Sequence, residues 1–225
     1  GVSVVVFDQH ELQEKLPNCD YYLHPILSHF GEISSSGAFV SFMFSKAFLG
    51  RFDNYLATLG GISLISDMMP LQEYNRKLLR VVIDNYKDGE FLPIDLLKEN
   101  EEFSGTTIGM KIAPKINSVG RIVEDESVND IIQFFVSEDR EVVLHYIDWI
   151  NQLNDERKDI SKNSLSEGYE INEDDPAFVL VSNEKEGLIG LIANYLVTKY
   201  KKPAIVFAKS TISGQFKGSC RVPEG

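Results

Sequence analysis

The chain opens on an apolar, β-branched run, Val2-Ser3-Val4-Val5-Val6-Phe7, that stops abruptly at Asp8-Gln9-His10. Such a run predicts a strand buried on both faces, as in a parallel sheet. Tyr21-Tyr22-Leu23 predicts a second, short strand stopped by Pro25. Residues 34–37 predict a turn and helix start, and Ala38 to Leu49 is apolar almost all round, which predicts a core helix. Phe52 to Met69 predicts a buried segment and Leu71 to Tyr86 a further helix, whereas Gly89 to Phe103 is acidic and turn-rich. Thr106 to Ile122 mixes apolar residues, glycines and bases without a period, which predicts an irregular functional loop. Glu11 to Pro17 predicts a loop or short helix.

Ser127 to Phe135 predicts a short helix. Glu138 to Gly168 then predicts one helix of about 30 residues, about 45 Å long. Its apolar stripe of Val143, Ile147, Ile150, Leu153 and Ile160 is narrow, and a helix this polar is expected to connect two domains. Asn172 to Pro176 predicts a turn, Ala177 to Val181 a strand, Gly187 to Tyr200 a helix and Ala204 to Ala208 a strand. That β-α-β order predicts a second, smaller parallel unit, closed by a strand within Gln215 to Val222. The fold class read from the pattern is α/β.

Two positions stand out chemically. In open α/β sheets ligands bind beyond the carboxyl ends of strands. Asp8-Gln9-His10 therefore suggests a metal or phosphate site, the plainer alternative being Asp8 as a helix cap and His10 as a surface residue. Asp67 follows Ile65 and precedes Met68 and Met69, and a lone carboxylate in apolar company is costly unless paired or metal-bound. Its plainer alternative is a cap on the following helix. Lys115, Asn117 and Arg121 could face phosphate, the plainer alternative being a surface loop.

Charge refines this. The net charge of −12 argues against nucleic-acid binding by bulk charge. The last 27 residues, however, hold six bases against Glu224 alone, a local +5 that leaves −17 for the remainder. Lysines 199 to 202 complement the end of a helix, but Lys217 and Arg221 do not, so a basic face could meet phosphates locally. Hydrophobic content of 43% is in the globular range, and no apolar run reaches the length of a membrane span. The two cysteines have no metal-ligand spacing, which fits a reducing, cytoplasmic setting.

In this order the landmarks resemble the DHH phosphoesterase superfamily, and its RecJ branch of single-strand-specific exonucleases. Val4-Val5-Val6-Phe7-Asp8-Gln9-His10-Glu11 with Leu16-Pro17 resembles the family's strand, Asp-His-His-Glu and Leu-Pro. Ile65-Ser66-Asp67-Met68-Met69-Pro70-Leu71, with Asn75-Arg76 behind it, resembles the segment carrying a metal-binding Asp. Residues Ile112 to Arg121 are similar to the family's Ile-Ala-Pro-Arg-Leu-Asn-Ala-Ala-Gly-Arg segment. Gly187 to Ala193, Lys202 to Val206 and Gly218-Ser219-Cys220-Arg221 resemble the associated DHHA1 domain.

The resemblance implies a parallel-sheet DHH domain over 1–137, a connector helix over 138–170 and a DHHA1-like nucleic-acid-binding domain over 171–225. It implies 5′→3′ hydrolysis of single-stranded DNA in repair and recombination, with two Mn²⁺ or Mg²⁺ ions. Single-stranded DNA would be the partner, with single-strand-binding or repair proteins beside it and no membrane. In roles, His10 would contact the scissile phosphate, Asp8 would orient the site or help hold metal, and Asp67 would bind metal. Lys115, Asn117, Arg121, Ser219 and Arg221 would meet the backbone. Gln9 stands where the family has a metal-binding His, and an amide oxygen is a weaker ligand for a transition metal. The family's upstream Asp motifs would lie before Gly1, and its Gly-Gly-His segment after the last residue. A middle portion of a longer protein, or a reduced form, is therefore expected, with little nuclease activity in the chain alone. A binding module that holds single strands or a protein without cleavage is the second reading. A phosphodiesterase of short oligonucleotides or cyclic dinucleotides is the third.

Overall fold

A computed structural model describes residues 1–28, 34–123, 129–163, 169, 171–210 and 214–223, with the side chains of 161–163 not described. The protein is mixed α/β, and it divides into two compact units, Gly1–Pro114 and Lys115–Gly225.

In the first unit β1 (Val5–Phe7) and β2 (Tyr21–Leu23) pair in parallel, Val5 opposite Tyr21 and Phe7 opposite Leu23. The expected strand buried on both faces is a correction: β1 has three residues, and Val4 and Val5 are exposed. An apolar run reports strand propensity but not how many neighbours cover it, and among the described residues only β2 pairs with β1. The bulk of the core is helical. It comes from α1 (Gly37–Leu49), α2 (Asn54–Ser66), α3 (Glu73–Asn85) and α4 (Leu92–Lys98), the last lying in the stretch expected to be turns. Val40, Leu64, Ile94 and Leu97 are wholly buried. The first half of α1 is in the core as expected, but Phe48 and Leu49 near its end are exposed. Both α1 and α2 start where local chemistry directs: Ser36 accepts the Phe39 N–H, and Asp53 accepts those of Tyr55 and Leu56. Residues 11–17 form no regular element.

The segment expected to be a loop, Thr106 to Ile122, is helical. A short turn, α5 (Gly105–Thr107), runs into a π-helical turn (Ile108–Ile112) and then α6 (Ala113–Ile122). Pro114 explains the widened turn. Its ring clashes with the carbonyl four residues back in a regular helix, and a π turn carries that carbonyl aside.

In the second unit α7 (Ile131–Val136) precedes α8 (Arg140–Asn163), a helix of 24 residues rather than about 30. Residues 164–168, expected in that helix, and 127–128, expected in the one before, lie outside the described residues. The expected stripe is buried at Val143, Ile147, Ile150 and Leu153. β3 (Phe178–Ser182), α9 (Ile189–Tyr200) and β4 (Ala204–Lys209) form the expected β-α-β unit with parallel strands, and β5 (Phe216–Arg221) adds antiparallel to β4. Ile192, Ala193, Leu196, Ala204, Val206 and Ala208 form its core.

One buried polar hub in the first unit secures the loop before α1. Asn75 donates to the carbonyls of Ser34 (2.7 Å) and Pro70 (3.0 Å) and accepts from the Ser35 hydroxyl (3.2 Å). It is fully buried. Each polar group stranded in a core costs about 1–3 kcal/mol. Asn75→Ala is therefore expected to lower stability by about 2–4 kcal/mol in urea denaturation. A loss below about 1 kcal/mol would contradict the hub's role.

Candidate functional site

The parallel register brings the end of β1 beside β2, where the Asp8 N–H donates to the Leu23 carbonyl at 3.0 Å. From there the chain turns about the Asp8 carboxylate. Its Oδ1 accepts from the backbone N–H of Gln9 (2.8 Å), the backbone N–H of His10 (3.1 Å) and His10 Nδ1 (2.7 Å). Its Oδ2 accepts from the Tyr22 hydroxyl at 2.7 Å. These bonds, that from Tyr22 first, hold the Asp8 carboxyl well below the usual carboxylate range. The same bond raises the Tyr22 phenol.

A carboxylate can only accept, so His10 carries its proton on Nδ1 and turns Nε2 outward. The His10 side chain is 80% exposed. Asp8, His10, Leu16 and Tyr22 are among the residues lining a recess of about 350 Å³. Asp8 is thus no helix cap, and His10 is an oriented imidazole rather than a loose surface residue.

Gln9 points elsewhere. Its Oε1 lies 2.9 Å from where a Cβ on Gly37, the first residue of α1, would stand. Asp67 is exposed at the C-terminal cap of α2, which corrects both expectations made of it: it neither lies in apolar surroundings nor caps the next helix. The end of α2 is a Schellman turn, Met68 N–H to the Ile65 carbonyl and Met69 N–H to that of Leu64, with Met68 left-handed at φ 54°. A methionine there costs roughly 1–2 kcal/mol, and the turn leaves the Asp67 carboxylate facing solvent. No hydrogen bond joins Asp67 to Asp8 or His10 among the described residues.

A divalent ion does not fit these residues by themselves. Both Asp8 oxygens are engaged, and among the described residues no three His, Cys, Asp or Glu side chains converge. The open donors are His10 Nε2 and the Asp67 carboxylate.

The second unit gathers the basic residues. Arg121, at the end of α6, donates to the Gly187 carbonyl at 3.1 Å, just before α9. A Cβ at position 187 would meet the Arg121 carbonyl oxygen at 2.9 Å, so only glycine allows this approach. One at Gly190, in the first turn of α9, would lie 3.3 Å from Ser219 Oγ and 3.4 Å from Arg221 Nη2. The bare first turn of α9 thus has the Ser219 hydroxyl and the Arg221 guanidinium beside it, and a helix N-terminus favours anions. On α8, burial and then the neighbouring Arg121 charge push the Arg157 guanidinium down. Asn117 is exposed one turn before Arg121. Lys115 is buried at 6% exposure, so its ammonium does not stand on the surface with Asn117.

The pattern of residues singled out the Asp8, Asp67, Arg121 and Arg221 positions, and the resemblance added Ser219, but both missed Tyr22 and His24. The signal available was a strand and its following residue lying beside Asp8, which register alone reveals.

No family model matches the chain. It is 29% identical over its full length to the single-stranded-DNA-specific exonuclease RecJ of Bacillus subtilis, of which it spans 30%. Its fold matches RecJ of Thermus thermophilus in complex with Mn²⁺ at a TM-score of 0.81, with 22% identity over 99% of this chain and 34% of that one. The Mg²⁺ complex of the same protein matches at 0.76 with the same identity and coverage. In sequence and in fold the chain is thus similar to these RecJ proteins along its entire length, and it spans about a third of theirs.

Tyr22→Phe is expected to raise the Asp8 pKa toward the ordinary value near 3.9, read by NMR titration of the Asp8 carboxyl carbon. A carboxyl depressed on folding contributes stability that is complete above its unfolded pKa and is lost as the pH falls through the folded value. The variant should therefore begin to lose stability at a higher pH on acidification. An unmoved Asp8 titration would contradict the assignment.

Proposed function

We propose that this chain serves a RecJ-like nuclease acting on single-stranded DNA, as the named relatives do. The Asp8–His10 pair at the strand end carries the reading. Asp8, kept ionised, orients His10 so that Nε2 meets a phosphate oxygen beside the scissile bond. Arg121, Ser219 and Arg221, with Asn117 one turn from Arg121, hold the strand's backbone. The segment from 171 onward acts as a DHHA1-like nucleic-acid-binding domain, and the stretch before the long helix as the DHH-like domain. A divalent ion of the kind held by the Thermus thermophilus relatives would find one carboxylate in Asp67, and would require donors beyond the described residues. Digestion from the 5′ end, work in DNA repair and a cytoplasmic setting belong to the same reading.

A second reading has two observations in its favour: among the described residues no ready set of metal ligands converges, and Gln9 turns toward α1. On that reading the chain binds single strands without cutting them.

Cleavage of labelled single strands by the protein that carries this chain separates the two. The nuclease reading expects cleavage that needs Mn²⁺ or Mg²⁺ and falls sharply in His10→Ala and Asp67→Asn. Tight single-strand binding without turnover in any divalent ion favours the module. Both expect Arg221→Ala to weaken single-strand binding and to reduce the salt slope, log affinity against log salt, by about 0.7. A slope unchanged in Arg221→Ala would remove that residue from the backbone contacts.

A further inference from the structure

Two side chains have no part in the reading above, yet both reach the His10 turn: Tyr22 on β2, and His24 directly after that strand. Their rings stack with centroids 5.9 Å apart. Tyr22 holds Asp8 Oδ2 at 2.7 Å. His24 is buried at 1% exposure, and its Nε2 lies 2.8 Å from the backbone carbonyl oxygen of His10. His24 Nδ1 accepts the Ile26 N–H at 3.2 Å. A neutral imidazole has one donor and one acceptor, so this bond places the His24 proton on Nε2, where it donates to His10. The His24 N–H in turn donates to the Ser28 hydroxyl at 3.2 Å.

We propose that Tyr22 and His24 are positioning residues for His10: Tyr22 fixes the Asp8 carboxylate that holds the ring, and His24 fixes the backbone that carries it. The ring is thereby held as the Nδ1–H tautomer with Nε2 outward. A buried histidine is often only a satisfied core residue. His24 differs because its donor is aimed at the backbone carbonyl of the residue that carries the site's exposed imidazole, while its acceptor is occupied by its own turn. Tyr22 and His24 grip His10 from two independent points, side chain and main chain. An exposed side chain with two rotatable bonds is thus held in one orientation. The catalytic consequence rests on the functional reading given above, but the positioning itself does not.

The test uses the full 225-residue chain labelled with ¹⁵N histidine, and reads the His10 ring by two-bond ¹H–¹⁵N spectra at pH 8.5, where an ordinary imidazole is neutral. Native protein is expected to show a single Nδ1–H tautomer for His10. Tyr22→Phe and His24→Leu should each give a mixture with the Nε2–H form, and His24→Gln, which keeps an N–H donor, should restore the single tautomer. A mixture in the native protein, or one unchanged tautomer in both variants, overturns the proposal. Should His24→Leu fail to fold, Tyr22→Phe decides alone, since its phenyl ring fills the same place. In the protein that carries this chain, misplacing His10 is expected to lower kcat about 10- to 100-fold with KM nearly unchanged. If the tautomer moves but single-strand cleavage does not, the positioning stands and the role of His10 at the phosphate fails.

Discussion

Four donors converge on the Asp8 carboxylate, and the rest of the strand-end site depends on that convergence. Two backbone N–H groups and one imidazole share Oδ1, and one phenol holds Oδ2. The two adjacent N–H groups on one oxygen close a tight turn of the kind an aspartate builds at a loop start. The turn in turn decides where His10 stands. A strand of three residues suffices to anchor it because β2 supplies both the paired backbone and the Tyr22 hydroxyl.

The second unit solves a related problem by removing side chains instead of adding donors. Gly187 lets the Arg121 main chain come within reach of the start of α9, and Gly190 leaves room for Ser219 and Arg221. Basic groups then gather beside the first turn of α9, although the chain as a whole is strongly acidic. Local arrangement prevails over net charge, because charges more than about 8–10 Å apart across solvent are largely screened at physiological salt.

Much of this was legible in the sequence. The β-α-β unit of β3, α9 and β4 shows in its apolar runs and in Pro203, and the buried stripe of α8 shows in its spacing. The helical passage through Pro114 did not show. Glycines and a proline in Thr106 to Ile122 look like loop signals, and only a π turn reconciles them with a helix. Asp67 misled for a different reason: its neighbours Met68 and Met69 are apolar in composition, but a left-handed residue after the helix turns Met68 outward and Asp67 with it. Tyr22 and His24 were hidden because their partners lie 14 residues away in sequence. Strand register, not composition, brings them together.

The most direct test of this account is amide hydrogen exchange at Gln9 and His10. His10 lies on the surface, so without the Asp8 bonds its N–H would exchange at the rate of an unstructured chain. Both amides are expected to be protected in the native protein and to lose that protection in Asp8→Ala, while the amides of β4 stay unchanged. Unprotected Gln9 and His10 amides in the native protein would contradict the claim that Asp8 organises the site.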